Sequence, residues 1–318
     1  ETAVSEAYLD FQVYIKALKN RGVILAVCSK NDFENAAEGF SHPDSVLKLE
    51  DFSAFKANWN PKHENILEIS NELNIGTDSI VFVDDNPVER EIVRSQEPNV
   101  SVIEIGNDVT KYIGIIDKTG LFEILTLSED DLKRSSYYSN NSVRKANEGK
   151  YSNYNDFLCS LSMKAEIKSF EGIYLDRITQ LINKTNQFNL TTKRLTQSDV
   201  NEIYDNKNYI KIYGRLEDKF GDNGIVSILI GELKAEELHM DIWLMSCRVL
   251  KRGFEMAMLD QLVSQAKLKG VKRIFGYYLS SKKNSMVSDL YEKLGFNNVE
   301  NNESNSIWVL NIEKNYTK

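Results

Sequence analysis

Cysteine and histidine are scarce in this sequence of 318 residues, and each scarcity argues against a class of protein. The three cysteines (Cys28, Cys159 and Cys247) are too few and too scattered for a disulfide framework, so we expect a reducing compartment, the cytoplasm. The three histidines are widely spaced along the chain, which argues against a zinc site.

Long apolar runs and an excess of positive charge are also missing. No apolar run reaches the roughly 20 residues that cross a bilayer, so a membrane partner is not expected. The formal net charge is −8, and no basic stripe with interleaved aromatic residues is present. Nucleic acid is therefore not expected as a partner.

The most informative stretch is a short apolar run that ends in two adjacent carboxylates. Residues 80–83 are branched or aromatic, as in a strand that is buried on both faces, and Asp84 and Asp85 follow directly. Asn86 can cap the next helix, which has a proline at its first position and Glu89 three residues after the cap. An acidic pair therefore lies at the junction between a predicted strand and a predicted helix.

Ligands of open α/β sheets bind outside the carboxyl ends of the strands, which is where this acidic pair lies. Two adjacent carboxylates repel each other unless a cation lies between them, and Mg²⁺ is the usual cation. Asp84 and Asp85 are therefore predicted to bind Mg²⁺. The alternative is a solvated Asp-Asp turn.

Two further positions complete a possible phosphate site. The apolar strand Val23–Cys28 ends in Ser29, Lys30 and Asn31, whose amides and hydroxyl can cradle a phosphate. Lys62 opens a later helix and can offset the charge of a phosphate. Alternatively, Ser29 is a simple helix cap and Lys62 is a solvated first-turn side chain.

Strand and helix patterns alternate through this part of the chain, which predicts a parallel sheet with right-handed crossovers. Further strands are predicted at Val46–Leu49 and near Val100–Ile103, and Phe52–Pro61 is predicted to be a loop. Ser29, Lys62 and the acidic pair would then form a phosphoryl-transfer site for a phosphorylated small molecule, without a nucleophile.

Four motifs in this region resemble the FkbH-like proteins, a branch of the haloacid dehalogenase superfamily (subfamily IIIC). The resemblance implies a haloacid-dehalogenase-like (Rossmannoid) parallel sheet and phosphatase-type chemistry with magnesium. It places Ser29 in the family's second motif, Lys62 in the third, and both aspartates in the fourth. The motifs are Val27-Cys28-Ser29-Lys30-Asn31, Trp59-Asn60-Pro61-Lys62, Glu72-Leu73-Asn74-Ile75-Gly76 and Phe82-Val83-Asp84-Asp85-Asn86-Pro87.

The family's first motif, an Asp-x-Asp at the end of the central strand, has no counterpart here. Asp10 lies inside the helix predicted at Val4–Leu18, with no strand before it. We therefore expect a chain truncated just after that motif, with the first strand of its sheet missing and no nucleophile for an aspartyl-phosphate. The alternative is a divergent form with a rearranged or degenerate first domain.

The chain is predicted to divide into three parts. Residues 1–108 are the N-terminally incomplete haloacid-dehalogenase-like domain, residues 109–150 are a helical connector, and residues 151–318 are a second domain. In the connector, Ser128 can cap a helix, with an acidic residue at the third position.

The second domain begins with a predicted antiparallel meander. Alternating runs at 209–216, 224–233 and 238–245 indicate three strands, and Gly221-Asp222-Asn223-Gly224 is a strong signal for the hairpin between the first two. A basic, glycine-containing loop then opens a long helix, which is followed by a strand, a helix and a last strand. This order resembles the α+β fold of the GNAT acyltransferases.

The GNAT resemblance implies a thioester site. Arg252, Gly253 and the following helix start, with Arg248 nearby, would hold the pyrophosphate of coenzyme A or of a phosphopantetheine arm. Tyr291 would protonate the departing thiolate in a GNAT N-acyltransferase. The alternative is a helix cap with a basic first turn.

FkbH-like proteins are associated with the transfer of a glyceryl unit from 1,3-bisphosphoglycerate, an acyl phosphate, to the thiol of an acyl carrier protein through an enzyme thioester. That association points to a cysteine. Cys247, beside Arg248, can be the nucleophile, and Cys28 is its rival. Both can instead be small buried hydrophobic residues.

A dense row of polar side chains follows a predicted helix in the second domain. It can line a substrate pocket or a dock for a carrier protein, or it can satisfy its own backbone. The residues are Lys184, Asn186, Gln187 and Asn189.

Three functions therefore remain open. The first is an FkbH-like, Mg²⁺-dependent phosphoryl or acyl transferase. The second is a GNAT N-acyltransferase that uses an acyl thioester, and the third is a non-catalytic module that docks a carrier protein.

Overall fold

The computed structural model describes residues 2–123, 132, 134–302, 304–313 and 316. The chain forms two compact units, Glu1–Lys150 and Tyr151–Lys318. The predicted cap at Ser128 lies outside the described residues. None of the helices in the described ranges combines the length and apolarity that a membrane crossing requires.

Helices and strands alternate in the first unit, as the sequence predicts. The helices are α1 (Ala3–Asn20), α2 (Phe33–Ser41), α3 (Lys62–Leu73), α4 (Pro87–Gln96), α5 (Tyr112–Lys118) and α6 (Arg134–Glu148). The strands are β1 (Leu25–Ser29), β2 (Phe52–Ala57), β3 (Val81–Phe82) and β4 (Ser101–Val102).

The strands of the first unit form two parallel pairs, β1 with β2 and β3 with β4. Helix α3 packs against both pairs. Its Ile66 lies in a cluster with Phe82 of β3, and its Ile69 lies in a cluster with Ala54 of β2. The predicted parallel α/β class is confirmed.

The strand predicted at Val46–Leu49 is wrong, because the strand lies at Phe52–Ala57 instead. The amides of Val46 and Leu47 both donate to Gln12 Oε1 at 3.0 Å. These amides therefore bond to a side chain of α1 and not to a neighbouring strand. Phe52 pairs edge-to-face with Phe40 of α2, with ring centroids 4.7 Å apart. Aromatic packing thus accompanies a strand whose sequence does not alternate cleanly.

A buried carboxylate ties α1 to the segment before β2. Asp51 is 2 % exposed and accepts hydrogen bonds from Lys16 Nζ and Lys19 Nζ, both at 2.5 Å. Burial alone would raise the pKa of Asp51, but these bonds and one from the Lys48 amide lower it to about 2. The carboxylate is therefore better stabilised in the folded chain than in the unfolded chain.

We expect Asp51→Asn to lower the free energy of unfolding at pH 7 by about 2 kcal/mol. Because the folded pKa lies below the ordinary value of 3.8, this stabilisation is present above pH 4 and is lost as the pH falls towards 2. Urea denaturation across this pH range measures it. Glu50→Gln, at the exposed neighbour, is the control, and equal losses in the two variants would contradict the prediction.

The second unit is built on one large sheet. Its helices are α7 (Tyr154–Ser160), α8 (Leu175–Lys184), α9 (Gln197–Asp205), α10 (Phe254–Leu268) and α11 (Leu290–Lys293). Its strands are β5 (Lys164–Ser169), β6 (Phe188–Asn189), β7 (Tyr209–Asp218), β8 (Gly221–Lys234), β9 (Glu237–Met245), β10 (Arg273–Leu279), β11 (Asn297–Asn301) and β12 (Asn305–Asn311).

The order of this sheet is β11-β12-β10-β9-β8-β7-β5, and β6 pairs with β9. Strands β9 and β10 are parallel, and the other pairs in the described residues are antiparallel. Helix α10 covers one face, and α8 and α9 cover the other. A Cβ atom at Gly214 would lie 2.6 Å from Phe254 and Met258, so glycine permits the close approach of α10. The α+β class predicted for this part of the chain is confirmed, because helices cover both faces of a mainly antiparallel sheet.

The hairpin between β7 and β8 turns earlier than its sequence signal predicts. Asp218 pairs with Gly221, so the turn is Lys219-Phe220, and the predicted turn residues 221–224 already belong to β8. The Asp218 carboxylate accepts the Phe220 amide at 2.8 Å and fixes this turn. The glycines instead supply positive φ angles at a strand start, +140° at Gly221 and +67° at Gly224.

Candidate functional site

The start of α3 and the end of β3 bring two of the predicted site residues into contact. The Lys62 ammonium group contacts Asp84 Oδ2, and the two side chains are 12 % and 6 % exposed. The other oxygen, Asp84 Oδ1, accepts the amide of Asn86 at 2.9 Å. Asp85 is exposed beside them. A buried carboxylate, a buried ammonium group and an accessible second carboxylate thus share one corner of the unit.

A buried arginine that the sequence analysis did not identify fixes this corner. Arg90 of α4 is 5 % exposed, and its Nη1 donates to the carbonyl oxygens of Asp84 at 2.8 Å and Asp85 at 3.0 Å. Its Nε donates to Glu104 at 3.1 Å. The guanidinium group holds the turn that presents both carboxylates. A basic residue one turn into the helix after the acidic pair is the only signal in the sequence.

The predicted phosphate-binding residues after β1 have local partners. The Ser29 carbonyl accepts the Asn58 amide at 3.1 Å, and Asn31 Oδ1 accepts the next amide, of Asp32, at 2.9 Å. Lys30 Nζ donates to Glu89 Oε1 at 2.6 Å. Lys30 therefore forms an ion pair with α4.

Cys28, next to Ser29 in the chain, contacts the start of α3. Its Sγ lies 3.5 Å from the Lys62 carbonyl oxygen. Burial raises the pKa of the thiol to about 11, with Lys62 and Lys30 opposing the rise and the carboxylates of Asp84 and Glu89 adding to it. Four charged side chains therefore lie close to this thiol, and Ser29 is its neighbour in the chain. A thiol with such a raised pKa is a weak nucleophile near neutral pH, which disfavours Cys28 as the acylated cysteine.

We expect Cys28 to react with iodoacetamide about a hundredfold more slowly than exposed Cys159 at pH 8, because two pKa units reduce its thiolate fraction by about that factor. The rate at Cys28 should still be rising at pH 10, because the pKa of its thiol is about 11. Peptide mass spectrometry of timed, quenched samples measures both rates. Equal rates at the two cysteines would contradict the assigned surroundings of Cys28.

The donor set at this corner fits a magnesium ion that is shared with a phosphate. In the described residues, no group of three or more histidine, cysteine or acidic side chains is placed to hold a metal alone. Mg²⁺ is commonly held by one or two carboxylates together with phosphate oxygens and water. Asp84 and Asp85 would supply the carboxylate ligands. Oxygen atoms of a bound phosphate, together with water, would supply the ligands that the protein does not.

In the second unit, Cys247 lies in the single helical turn that follows β9 and is half-buried. The neighbouring Arg248 donates from Nε to the Ser246 hydroxyl at 3.1 Å. Cys247 is therefore partly accessible, and the side chains of its two neighbours in the chain bond to each other.

Arg252, predicted to bind a pyrophosphate, is instead part of a buried ion pair. Its Nη1 lies 3.0 Å from Asp218 Oδ2, with side-chain exposures of 8 % and 0 %, and its Nη2 donates to the Arg248 carbonyl at 2.7 Å. The guanidinium group thus ties the loop to β7. The following Gly253, with φ +71°, turns the chain into α10. This geometry disfavours a pyrophosphate-binding role for Arg252, which stays a prediction, because the guanidinium group bonds to Asp218 and to the Arg248 carbonyl.

Tyr291, predicted to be a general acid, lies in the core and is 1 % exposed. A Cβ atom at Gly276 would lie 2.4 Å from its ring, and the Trp243 ring lies 6.2 Å away between centroids. Burial raises the pKa of its phenol. The predicted proton donation requires a reachable hydroxyl, so this geometry does not support it.

The predicted polar row has three of its members bonded within the unit or buried. Asn189 is fully buried, donates to the Thr185 carbonyl at 3.2 Å and accepts the Thr192 amide at 2.9 Å. Asn186 Oδ1 contacts the Arg194 guanidinium group. Gln187 has a buried oxygen without a hydrogen-bond partner in the described residues. Lys184, at the end of α8, is exposed.

This row continues into a segment that fills the space between β9 and β10, which we call the wedge (residues 188–190). Strands β9 and β10 pair at three positions only, 273–275 with 237–239. Beyond them, the Leu190 amide donates to the Trp243 carbonyl at 3.1 Å, and the Leu190 carbonyl accepts the Leu279 amide at 2.8 Å. An extended thioester arm between these strands would have to displace the wedge.

Parts of the chain are similar to solved structures of two kinds. No protein-family model matches the chain, and no curated protein matches it. The N-terminal part of protein BF1531 from Bacteroides fragilis, which contains a phosphatase domain complexed with Mg, is 46% identical over 40% of this chain and 34% of that chain, with a TM-score of 0.39. This chain thus spans about a third of that relative.

Two acetyltransferases also match, at low identity. The ribosomal-protein-S18-alanine N-acetyltransferase from Escherichia coli is 16% identical over 48% of this chain and 100% of that chain, with a TM-score of 0.37. The GNAT domain of PAT from S. lividans is 11% identical over 46% of this chain and 90% of that chain, with a TM-score of 0.39. Part of the chain is therefore similar to a structure that contains a phosphatase domain, and the second unit has an α+β fold with one mainly antiparallel sheet.

Proposed function

We propose that this chain contributes to a magnesium-dependent phosphoryl or acyl transferase of the FkbH-like type. The substrate is an acyl phosphate or another phosphorylated small molecule, and the acyl unit passes to the thiol of a carrier protein. The observation that carries the proposal is the contact between Lys62 and Asp84, two motif residues that are 22 positions apart in the chain.

The charges at this corner suit a phosphate substrate. The Lys62 ammonium group is held on Asp84, where it can offset the charge of a phosphate. A magnesium ion bound by Asp84 and Asp85 would supply electrostatic stabilisation of that phosphate when present. Arg90 keeps both carboxylates in place.

The reaction balances without an oxidant or reductant. The carrier thiolate attacks the acyl carbon, directly or after a cysteine of the enzyme, and a carbon–sulfur bond forms. The bond from that carbon to the phosphate oxygen breaks, and inorganic phosphate leaves. In the second unit, Cys247 is the candidate for the intermediate thioester, because it is partly accessible and adjoins Arg248.

The sheet of the first unit supports a further strand. In the described residues, β1 pairs only with β2 and β3 pairs only with β4, so each has one strand edge without a strand partner. Both pairs lie on α3. We propose that an apolar strand ending in Asp-x-Asp completes the sheet between β1 and β3 and adds two carboxylates to the site.

The test is to incubate the chain with Mg²⁺, 1,3-bisphosphoglycerate, a carrier protein with a phosphopantetheine thiol, and a peptide comprising an apolar strand that ends in Asp-x-Asp. The expected result is a gain of one acyl mass on the carrier, measured on the intact protein. The gain should be lost with Asp84→Asn. A form of the protein that carries the strand covalently repeats the test, and no gain on either protein would overturn the proposal.

A further inference from the structure

The sheet of the second unit contains a gap in which two neighbouring strands do not pair with each other. Strands β9 and β10 are parallel and pair over three positions only, 237–239 with 273–275. Beyond these positions both strands continue, to Met245 and to Leu279. Where parallel strands separate inside a protein, their amides and carbonyl groups need other partners, because unpaired buried backbone groups are costly.

An extended ligand that carries its own amide groups can supply such partners, through the same bonds that an added strand would make. The pantetheine arm of coenzyme A or of a carrier protein is a ligand of this kind. The resemblance of this part of the chain to the GNAT acyltransferases implies a thioester of such an arm. The groups that already bond to β9 and β10 decide whether the gap can accept it.

On one side of the gap, the wedge is bonded to β9 as an antiparallel strand. Residues 188–189 pair with the last residues of β9, and the Leu190 amide donates to the Trp243 carbonyl oxygen at 3.1 Å. The hydroxyl group of Thr191 then donates to the Asp241 carbonyl oxygen at 2.7 Å. The edge of β9 that faces the gap is therefore bonded to the chain itself.

On the other side, the wedge is bonded to the end of β10. The Leu190 carbonyl oxygen accepts the Leu279 amide at 2.8 Å. Asn284 is fully buried, and its Nδ2 donates to the carbonyl oxygens of Asn189 at 2.8 Å and Leu279 at 2.9 Å. Its Oδ1 accepts the Ser281 amide at 2.8 Å. A single side-chain amide thus joins the wedge to β10 and to the loop that follows it.

The side chains of the wedge belong to the core of the unit. Phe188 is 5 % exposed and Leu190 is 0 % exposed, and both lie in one apolar cluster with Trp243 and Tyr278. An arm that entered the gap would have to expose both apolar side chains and break the bonds to β9 and β10. It would also leave the buried Asn284 without acceptors for its donors, which is a further cost.

Two other residues implied for a thioester site are engaged within the fold as well. The Arg252 guanidinium group is paired with the buried Asp218 carboxylate. The Tyr291 ring is 1 % exposed and packs against Gly276 of β10. The residues present therefore do not fit a thioester arm between β9 and β10.

We propose that the wedge is a built-in strand that closes this gap to a thioester arm, so that the second unit does not act as an N-acyltransferase on thioesters of coenzyme A. The inference concerns the second unit alone and goes beyond the function proposed above. A thioester on half-buried Cys247, in the turn that follows β9, would then be bound outside the sheet.

The test is hydrogen–deuterium exchange of the whole chain, followed by mass spectrometry of its peptides. Peptides that contain residues 188–190 should exchange within about tenfold of the rate of peptides from β8, because an internal strand opens only together with its sheet. A larger excess at the wedge would overturn the proposal. Coenzyme A at about 1 mM should leave the rate unchanged, and faster exchange at the wedge on its addition would overturn the proposal too.

Asn284→Ala removes the donor to the Asn189 and Leu279 carbonyl oxygens, so it should speed exchange at the wedge by about tenfold or more. Asn298→Ala, at an exposed asparagine of β11, is the control and should leave that exchange unchanged. Unchanged exchange in a folded Asn284→Ala chain would overturn the role of Asn284. If this variant does not fold, the measurement on the unchanged chain decides. Failure here would leave the function proposed for the first unit standing.

Discussion

Arg252→Ala is expected to lower the free energy of unfolding by about 3–5 kcal/mol, the largest effect on stability that we predict. The substitution leaves the carboxylate of Asp218 fully buried without its cation, and it removes the donor to the Arg248 carbonyl. Urea denaturation followed by circular dichroism measures the loss. Combining it with Asp218→Asn should restore part of the stability, because the uncompensated charge is then removed.

The control is Arg273→Ala, which breaks an ion pair with Glu237 in the same unit. Arg273 is 54% exposed in its side chain, so its loss should cost less than about 1 kcal/mol. A small effect at Arg252, comparable with that at Arg273, would contradict the structural role. It would return Arg252 to the ligand-binding role that its position in the loop predicts.

Lys62→Met is expected to weaken the binding of inorganic phosphate about a hundredfold, the largest effect on ligand binding that we predict. The side chain keeps its shape and loses the charge that a phosphate requires. Without Lys62, the buried carboxylate of Asp84 has no cation, so the melting temperature should fall. Added Mg²⁺ should then raise the melting temperature of the variant more than that of the unchanged chain, because the ammonium group no longer competes for Asp84.

Lys56→Met is a suitable control, because Lys56 also lies between acidic residues of α3, Glu68 and Glu72, at 3.1 Å from each. Its response to Mg²⁺ and phosphate should match that of the unchanged chain. If Mg²⁺ stabilises Lys62→Met no more than Lys56→Met, Asp84 and Asp85 are not a magnesium site.

Much of the fold of the first unit follows from local pattern. Apolar runs and capping residues predict the strand before Asp84 and the helix that begins at Lys62. Both elements form at those positions. The strand prediction from the sequence is wrong where the backbone bonds to a side chain instead of to a neighbouring strand. Gln12 Oε1 accepts the amides of Val46 and Leu47, and a pattern of alternating residues gives no information about such a distant acceptor.

Within the site, the sequence predicts which residues carry a charge better than it predicts which groups those residues contact. The proximity of Lys62 and Asp84 follows from their places at a helix start and a strand end. The buried pairing of Arg90 with two carbonyl groups does not, since an arginine in a helix usually reads as a solvated residue. The sequence likewise predicts that Glu89 is a capping residue. Local sequence patterns give no information about its distant partner, Lys30.

In the second unit, the local sequence around Arg252 does not reveal what its side chain contacts. A basic loop with a glycine before a helix is compatible with an anion site and with an internal ion pair. The acid that decides between them, Asp218, is 34 residues away in sequence. Tyr291 is similar, because only the packing against Gly276 shows that its ring lies in the core.

The wedge has a mechanical consequence for the second unit. Three register positions alone would leave β9 and β10 as the meeting line of two half-sheets that could hinge against each other. Leu190 bonds to both strands, and Asn284, fully buried, donates to Asn189 and Leu279 carbonyls at 2.8 and 2.9 Å. The connection between α8 and α9 is therefore hydrogen-bonded to both halves of the sheet, and it joins them where β9 and β10 do not pair with each other.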